Sequence, residues 1–136
     1  FGGTGSVGVE ALSRGAARAV FLDTRLRAIE TIRANLSLTG FAHRAEVLRK
    51  DALVYLNGTP HRGFDYVYIA PTQYQGLWAT ALQRVDSVPA WLNPDGWAIA
   101  QIDPSEFTEL QLTRLELFDR RRYGNTMLCF FFASNV

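Results

Sequence analysis

The 136-residue chain is poor in the residues that mark several classes of protein. Its only cysteine is Cys129, so an intrachain disulfide is impossible and a cysteine-based metal site is not expected. No apolar run approaches the roughly 20 residues that a membrane-spanning helix needs. The two histidines, His43 and His61, lie in polar stretches, and we interpret neither as a metal ligand or a general base. We therefore expect a cytoplasmic protein with no metal and no membrane partner.

Lysine is almost absent as well, and the charge is nearly balanced. Lys50 is the only lysine, and fourteen basic against thirteen acidic residues give a net charge of +1. Arginine makes bidentate contacts to phosphate and stacks on bases, but GC-rich codon usage explains the arginine bias more simply. The composition alone therefore predicts no strong binding surface for nucleic acid.

An initiator methionine is missing too, because the chain opens on Phe1 and runs directly into a glycine-rich turn. The length, with 48% hydrophobic and 20% charged residues, is typical of one globular domain. We expect a single domain over residues 1–136 that lacks the strand which should precede the turn.

Short apolar runs alternate with helical patterns along the chain, which predicts an α/β fold with a mostly parallel sheet. The predicted strands cover residues 19–23, 45–48, 64–69, 96–102, 112–118 and 126–133. The predicted helices cover residues 6–14, 26–36, 52–56, 74–85 and 105–110. A connection over residues 120–125 predicts that the last two strands form an antiparallel hairpin. The tryptophans are expected in the core, at Trp78, Trp91 and Trp97.

The first chemical signal is a glycine-rich loop, in which residues 3–8 fit the pattern G-x-G-x-x-G. Glycines permit a positive φ and a close backbone approach, and the start of the following helix offers free N–H groups to a ligand. Asp23 lies 21 residues beyond Gly2, close to the offset of about 20 expected of an acid that binds ribose hydroxyls. An ordinary surface aspartate at a strand end is the alternative.

A second acid, Asp51, follows the apolar run at 45–48. Its carboxylate could accept a hydrogen bond from an adenine amino group, while the N–H of Ala52 could donate to a ring nitrogen. Capping of the helix over 52–56 is an equally good interpretation, and both can hold together. NAD and S-adenosylmethionine (SAM) both fit the loop and Asp23, but Asp51 and the terminal hairpin favour SAM.

The opening sixteen residues, FGGTGSVGVEALSRGA, strongly resemble the opening motif of the RsmD family. These proteins are bacterial 16S rRNA guanine-N2 methyltransferases. The resemblance continues through IRANL at 32–36, the strand into Asp51, FDYV at 64–67 and the pair Tyr123-Gly124.

This resemblance implies a Rossmann-like class I methyltransferase fold with an antiparallel hairpin at its C-terminal end. It implies transfer of a methyl group from SAM to the exocyclic N2 amine of a guanine in 16S rRNA, within an assembling small-subunit particle. The SAM-binding residues implied are Gly3, Thr4, Gly5, Asp23, Asp51 and Ala52.

The segment after the strand predicted over 64–69, which is the fourth strand once the missing first strand is counted, departs from the family pattern. The family has Asp/Asn-Pro-Pro-Phe/Tyr, whose oxygens accept hydrogen bonds from the target amine and whose ring stacks on the base. This chain has Ala70 in place of the acid or amide. We therefore predict that Pro71 aims its carbonyl into the site, Gln73 supplies a substitute oxygen and Tyr74 stacks on the base. The alternatives are a catalytically impaired module that binds SAM or RNA, and an NAD-dependent oxidoreductase.

A last candidate is the basic run Arg120, Arg121 and Arg122 with Tyr123. Positive charge beside an aromatic ring suits phosphates and bases, so we predict an RNA-binding surface there. A solvated hairpin turn is the alternative.

Overall fold

The computed structural model describes residues 5–71 and 76–133. The chain forms two compact units, Phe1–Tyr55 and Leu56–Val136. In chain order the elements are α1 (Ser6–Ser13), β1 (Ala19–Asp23), α2 (Leu26–Thr39), β2 (Ala45–Arg49), α3 (Ala52–Leu56), β3 (Phe64–Ile69), α4 (Leu77–Ser87), β4 (Leu92–Ile102), β5 (Leu115–Tyr123) and β6 (Thr126–Ala133). No helix in the described ranges is long and apolar enough to cross a membrane.

The first unit is built on the parallel pair β1 and β2, which runs in register from Ala19 opposite Ala45 to Asp23 opposite Arg49. The buried face of α2 comprises Ala28, Ile29, Ile32 and Leu36, a spacing that places them on one side of a helix. Leu12 of α1 and Phe21 of β1 complete the core with Ile32 and Leu36. This core fixes both helices against the two strands.

The second unit is a four-stranded sheet in the order β3-β4-β6-β5. β3 pairs with β4 in parallel, whereas β6 pairs antiparallel with both β4 and β5. α4 packs against β4, whose alternate residues Ala98, Ala100 and Ile102 are buried. The predicted α/β class, with parallel pairs and a terminal antiparallel hairpin, is confirmed.

Several predicted boundaries are wrong. The helix predicted over 74–85 begins at Leu77, because Gly76 has a φ of 66° and occupies the N-cap. The helix predicted over 105–110 is only a 3-10 turn, Pro104–Glu106, after which the backbone of Phe107 is extended. β4 begins at Leu92 rather than residue 96, with an irregularity in its pairing to β3 between Leu92 and Trp97.

The terminal hairpin is also tighter than predicted. β5 begins at Leu115 and continues to Tyr123, which pairs with Thr126. Only Gly124 and Asn125 connect the strands, and Gly124 has the positive φ of 60° that a two-residue turn needs. The arginine run predicted to lie in the connection therefore belongs to a strand.

Candidate functional site

The start of α1 forms one side of the predicted cofactor site. Gly5 is the N-cap and has a φ of 78°, a left-handed conformation that favours glycine. A Cβ on Gly5 would lie 3.1 Å from Cγ1 of Ile32, so the position is also tightly packed. Among the described residues no side chain caps the helix, so none of them supplies a partner to its first N–H groups. The predicted residues Gly3 and Thr4 lie outside the described residues.

The third glycine of the motif has a packing role. A Cβ on Gly8 would overlap the ring of Phe21 on β1. Only glycine therefore allows the first turn of α1 to approach β1 so closely. Phe21 lies two residues before Asp23, so this contact brings the helix start towards the end of the strand that carries the predicted ribose acceptor.

Asp23 ends β1 and is only 5% exposed. Its Oδ1 accepts hydrogen bonds from the backbone N–H of Arg25 (2.9 Å) and from Nε of Arg25 (3.1 Å). Its Oδ2 accepts from Nη2 of the same arginine at 3.1 Å. The hydrogen bond to Asp23 and the charge of its carboxylate raise the pKa of Arg25. The sequence analysis did not single out Arg25 as a partner of Asp23. The signal available was its position, two residues after the predicted ribose acceptor.

Asp51 lies at the same edge of the first unit. The N–H of Lys50 donates to the carbonyl of Asp23 at 3.0 Å, which holds the ends of β1 and β2 together. Oδ1 of Asp51 accepts from the N–H groups of Leu53 (2.8 Å) and Val54 (3.2 Å), so its predicted capping of α3 is confirmed. Asp51 is exposed, and within the described ranges its Oδ2 accepts no hydrogen bond. That oxygen is open to a ligand, as the predicted adenine contact requires.

The structure thus brings together Gly5, Asp23 and Asp51, with Ala52 next in the chain. An adenosine-containing ligand needs acceptors for its ribose hydroxyls and amino group, and donors for its ring nitrogens. Two carboxylates, one open helix start and a close-packed glycine turn fit this need. The fit is incomplete in one respect, because Arg25 already contacts both oxygens of Asp23.

The predicted catalytic segment follows β3, which ends at Ile69 opposite Ala100 of β4. Ala70 and Pro71 directly follow the strand, and both are half-buried. Gln73 and Tyr74 lie outside the described residues. The predicted roles of Pro71, Gln73 and Tyr74 stay predictions.

The arginines predicted to bind RNA lie in β5, where successive side chains point to opposite faces. Arg120 stacks over the ring of Phe107, with 4.5 Å between its Cζ and the ring centre. Arg121 pairs with Asp119 at 2.9 Å, and Arg122 donates to the carbonyl of Gly124 at 3.0 Å. The predicted placement of this run in the hairpin turn is wrong, because all four residues, Tyr123 included, are paired with β6 as part of β5. Their side chains are therefore divided between the two faces of the sheet. Their binding role stays a prediction.

One tryptophan is not where the sequence predicts it. Trp78 and Trp91 are each 2% exposed, as expected of core residues, but Trp97 is 38% exposed. Its ring packs against Tyr66 (5.9 Å between centroids) and Phe118 (5.1 Å). A shallow pocket of about 300 Å³ is lined by Asp95, Trp97, Phe118 and Phe132. Trp97 therefore belongs to an exposed aromatic face of the second sheet rather than to its core.

The side chains of the described residues form neither a metal site nor a reactive thiol. Within residues 5–71 and 76–133, no group of three or more histidine, cysteine, aspartate or glutamate side chains could hold a metal ion. Cys129 is fully buried, and burial raises the pKa of its thiol to about 11. The thiol is therefore protonated at neutral pH and is not a nucleophile.

Comparison with known proteins gives consistent matches. The family model described as "Conserved hypothetical protein 95" matches residues 1–132. YlbH of Bacillus subtilis, named as a candidate rRNA methyltransferase, is 31% identical over 125 residues, covering 87% of this chain and 67% of that protein. Ribosomal RNA small subunit methyltransferase D of Haemophilus influenzae is 29% identical over 136 residues, covering 92% and 69%.

Solved structures agree in fold. A candidate methylase of Haemophilus influenzae has a TM-score of 0.87 at 23% identity, covering 99% of this chain and 84% of that one. A candidate methyltransferase of Escherichia coli has a TM-score of 0.86 at 22% identity, covering 100% and 75%. The predicted Rossmann-like class I methyltransferase fold is confirmed, and the chain belongs to the family described as Conserved hypothetical protein 95, the RsmD family that its opening motif indicates.

Proposed function

We propose that this chain, residues 1–136, is the domain of a SAM-dependent rRNA methyltransferase that modifies the exocyclic N2 amine of a guanine in 16S rRNA. The observation that carries the proposal is the edge of the first unit, where Gly5, Asp23 and Asp51 come together. The names of the relatives support rRNA as the substrate class. Such a substrate, within an assembling small-subunit particle, goes with a cytoplasmic location.

Each residue at this edge has a distinct task. The glycine turn and the open N–H groups of α1 receive the methionine end of the cofactor, while Asp23 accepts from the ribose hydroxyls. The free oxygen of Asp51 accepts from the adenine amino group, and the N–H of Ala52 donates to a ring nitrogen. When bound, SAM supplies an activated methyl group on a sulfonium, so the protein has to orient the acceptor rather than activate the donor.

The acceptor side lies after β3. The carbonyl of Pro71 and the side-chain oxygen of Gln73 accept hydrogen bonds from the guanine amine, and Tyr74 stacks on the base. Methyl transfer needs the acceptor nitrogen in line with the methyl carbon, within roughly 3–3.5 Å, and orienting the amine is the task that these three residues would have. Gln73 takes over the acceptor function that Ala70 cannot provide.

The cofactor assignment is tested by calorimetric titration with S-adenosylhomocysteine and, separately, with NADH. We expect S-adenosylhomocysteine to bind and NADH not to bind. Asp23→Asn is expected to weaken S-adenosylhomocysteine binding by roughly tenfold or more, because a hydrogen-bonded charge is lost. Asp119→Asn, which removes a carboxylate paired with an arginine in the second unit, is the matched control. NADH binding without S-adenosylhomocysteine binding would show an oxidoreductase instead.

The acceptor assignment is tested by methylation of 16S rRNA with Gln73→Ala. The rate is expected to fall by about 10²-fold, as when another oriented hydrogen-bonding group is lost, with S-adenosylhomocysteine affinity unchanged. Adding Ala70→Asp to that variant should restore much of the rate, because it returns the family's acceptor. Gln75→Ala, the same change two positions further on, is the control.

Two results would contradict this role for Gln73. If Gln73→Ala has no effect on a robust wild-type rate, another group accepts from the amine. If wild-type activity is barely measurable and Ala70→Asp alone raises it sharply, the chain is the catalytically impaired module. Analysis of the modified nucleoside as N2-methylguanosine tests the target atom in the same samples.

A further inference from the structure

The two side chains of the ion pair between Arg25 and Asp23 differ strongly in their exposure to solvent. The carboxylate of Asp23 is 5% exposed, whereas the side chain of Arg25 is 56% exposed. The guanidinium therefore covers a nearly buried carboxylate from the solvent side. Because Arg25 immediately precedes α2 and its backbone is extended (φ −85°, ψ 125°), the side chain extends from a loop position rather than from a packed helix face.

The number of acceptor positions on the carboxylate decides what this contact does. A carboxylate offers about four lone-pair positions, two on each oxygen. Arg25 fills both positions on Oδ1, with its backbone N–H and Nε, and one on Oδ2, with Nη2. At most one position is left, but two ribose hydroxyls need two. Ribose and the guanidinium cannot both be fully bound to Asp23.

We propose that Arg25 is a built-in competitor for the ribose site, and that its guanidinium must swing into solvent before Asp23 can bind both hydroxyls of the nucleoside. The proposal rests on the proposed function, since Asp23 is the ribose acceptor there. The exposed guanidinium is the partner that can leave, because the buried carboxylate is held by the end of β1. The backbone N–H of Arg25 keeps its hydrogen bond to Oδ1, so Asp23 stays oriented as the side chain departs.

The first test is the affinity for S-adenosylhomocysteine, measured by calorimetry on the whole chain. Arg25→Ala is expected to bind roughly threefold to tenfold more tightly than wild type, because the ion pair between Arg25 and Asp23 no longer has to break. Arg25→Lys should lie between them, since lysine keeps the charge but loses the bidentate fork. Arg27→Ala removes the same charge two residues away on the exposed side of α2 and controls for general electrostatics.

The second test separates the ribose contact from the rest of the ligand. Adenosine and 2′,3′-dideoxyadenosine, both uncharged, are measured in competition with S-adenosylhomocysteine. Arg25→Ala should tighten adenosine binding but leave dideoxyadenosine unchanged, because only the hydroxyls compete with the guanidinium. Raising NaCl from about 50 mM to about 500 mM should tighten adenosine binding to wild type and not to Arg25→Ala, since salt screens the ion pair.

The outcomes distinguish this proposal from the one on which it rests. Equal or weaker S-adenosylhomocysteine binding by Arg25→Ala, with binding by wild type intact, overturns the competition and shows that Arg25 supports the site. An equal gain for adenosine and dideoxyadenosine overturns it too. If neither wild type nor Arg25→Ala binds S-adenosylhomocysteine while both melt cooperatively, the proposed function itself fails.

Discussion

Asp86→Ala is expected to lower the free energy of unfolding by about 3–5 kcal/mol, because it removes the shared acceptor of four hydrogen bonds to a charged group. Asp86 lies on α4 and is 6% exposed. Its Oδ1 accepts from the N–H groups of Arg114 (2.7 Å) and Leu115 (2.8 Å). Its Oδ2 accepts from the N–H and the hydroxyl of Thr113 at 2.9 and 3.0 Å. One carboxylate thus holds the segment that enters β5.

The same contacts predict how stability depends on pH. Burial raises the pKa of Asp86, but the hydrogen bonds from residues 113–115 outweigh burial and hold the pKa below its ordinary value of 3.8. A carboxyl whose pKa is lower in the folded chain stabilises the fold fully above that ordinary value. The contribution is lost as the pH falls through the folded-state pKa. Wild type should therefore lose more stability than Asp86→Ala on acidification below about pH 4.

Urea unfolding at neutral and acidic pH measures both effects. Asp119→Ala is the control, since that carboxylate has a partly exposed ion pair with Arg121 and should cost at most about 1 kcal/mol. A loss of less than about 1 kcal/mol in Asp86→Ala would show that water replaces the carboxylate as acceptor. The stability of Asp86→Asn, which keeps one side-chain oxygen as an acceptor, should lie between those of wild type and Asp86→Ala.

Gly8→Ala is expected to destabilise the first unit by about 1–3 kcal/mol, although alanine is normally the better helix former. The added Cβ would overlap the ring of Phe21, so α1 has to move away from β1. That movement should also weaken S-adenosylhomocysteine binding, because the helix start leaves the edge that carries Asp23. Urea unfolding and calorimetry measure the two losses on the same samples.

The double variant Gly8→Ala with Phe21→Leu is the decisive comparison. A smaller side chain at position 21 makes room for the Cβ, so the double variant should be more stable than the sum of the single effects predicts. Additive losses would show that the overlap with Phe21 is not the cause. A gain in stability from Gly8→Ala alone would show that the helix start adapts without cost.

The local pattern of apolar residues along the sequence determined where most of the helices and strands form. The apolar spacing that predicts α2 includes Ile29, Ile32 and Leu36, which the core buries on one face, whereas Leu26 at the start of the helix is 50% exposed. The helix continues to Thr39, three residues beyond the predicted end, and Gly40 follows it with a left-handed φ of 78°. The prediction of a helix over 105–110 is wrong because the side chain of Asp103 caps only the short turn Pro104–Glu106. Apolar periodicity is a local property, so it survives without knowledge of the tertiary structure.

The sequence by itself also singled out Asp23 and Asp51 as candidate site residues, because each directly follows an apolar run and Asp23 lies at the expected distance from the glycine loop. Only the tertiary structure decided which partners these side chains have. It places Arg25 on both oxygens of Asp23 and exposes Trp97 on the face of a sheet. The physical reason is that a hydrogen-bond partner or a sheet register depends on where the folded backbone brings groups together, whereas hydrophobic pattern depends only on order along the chain.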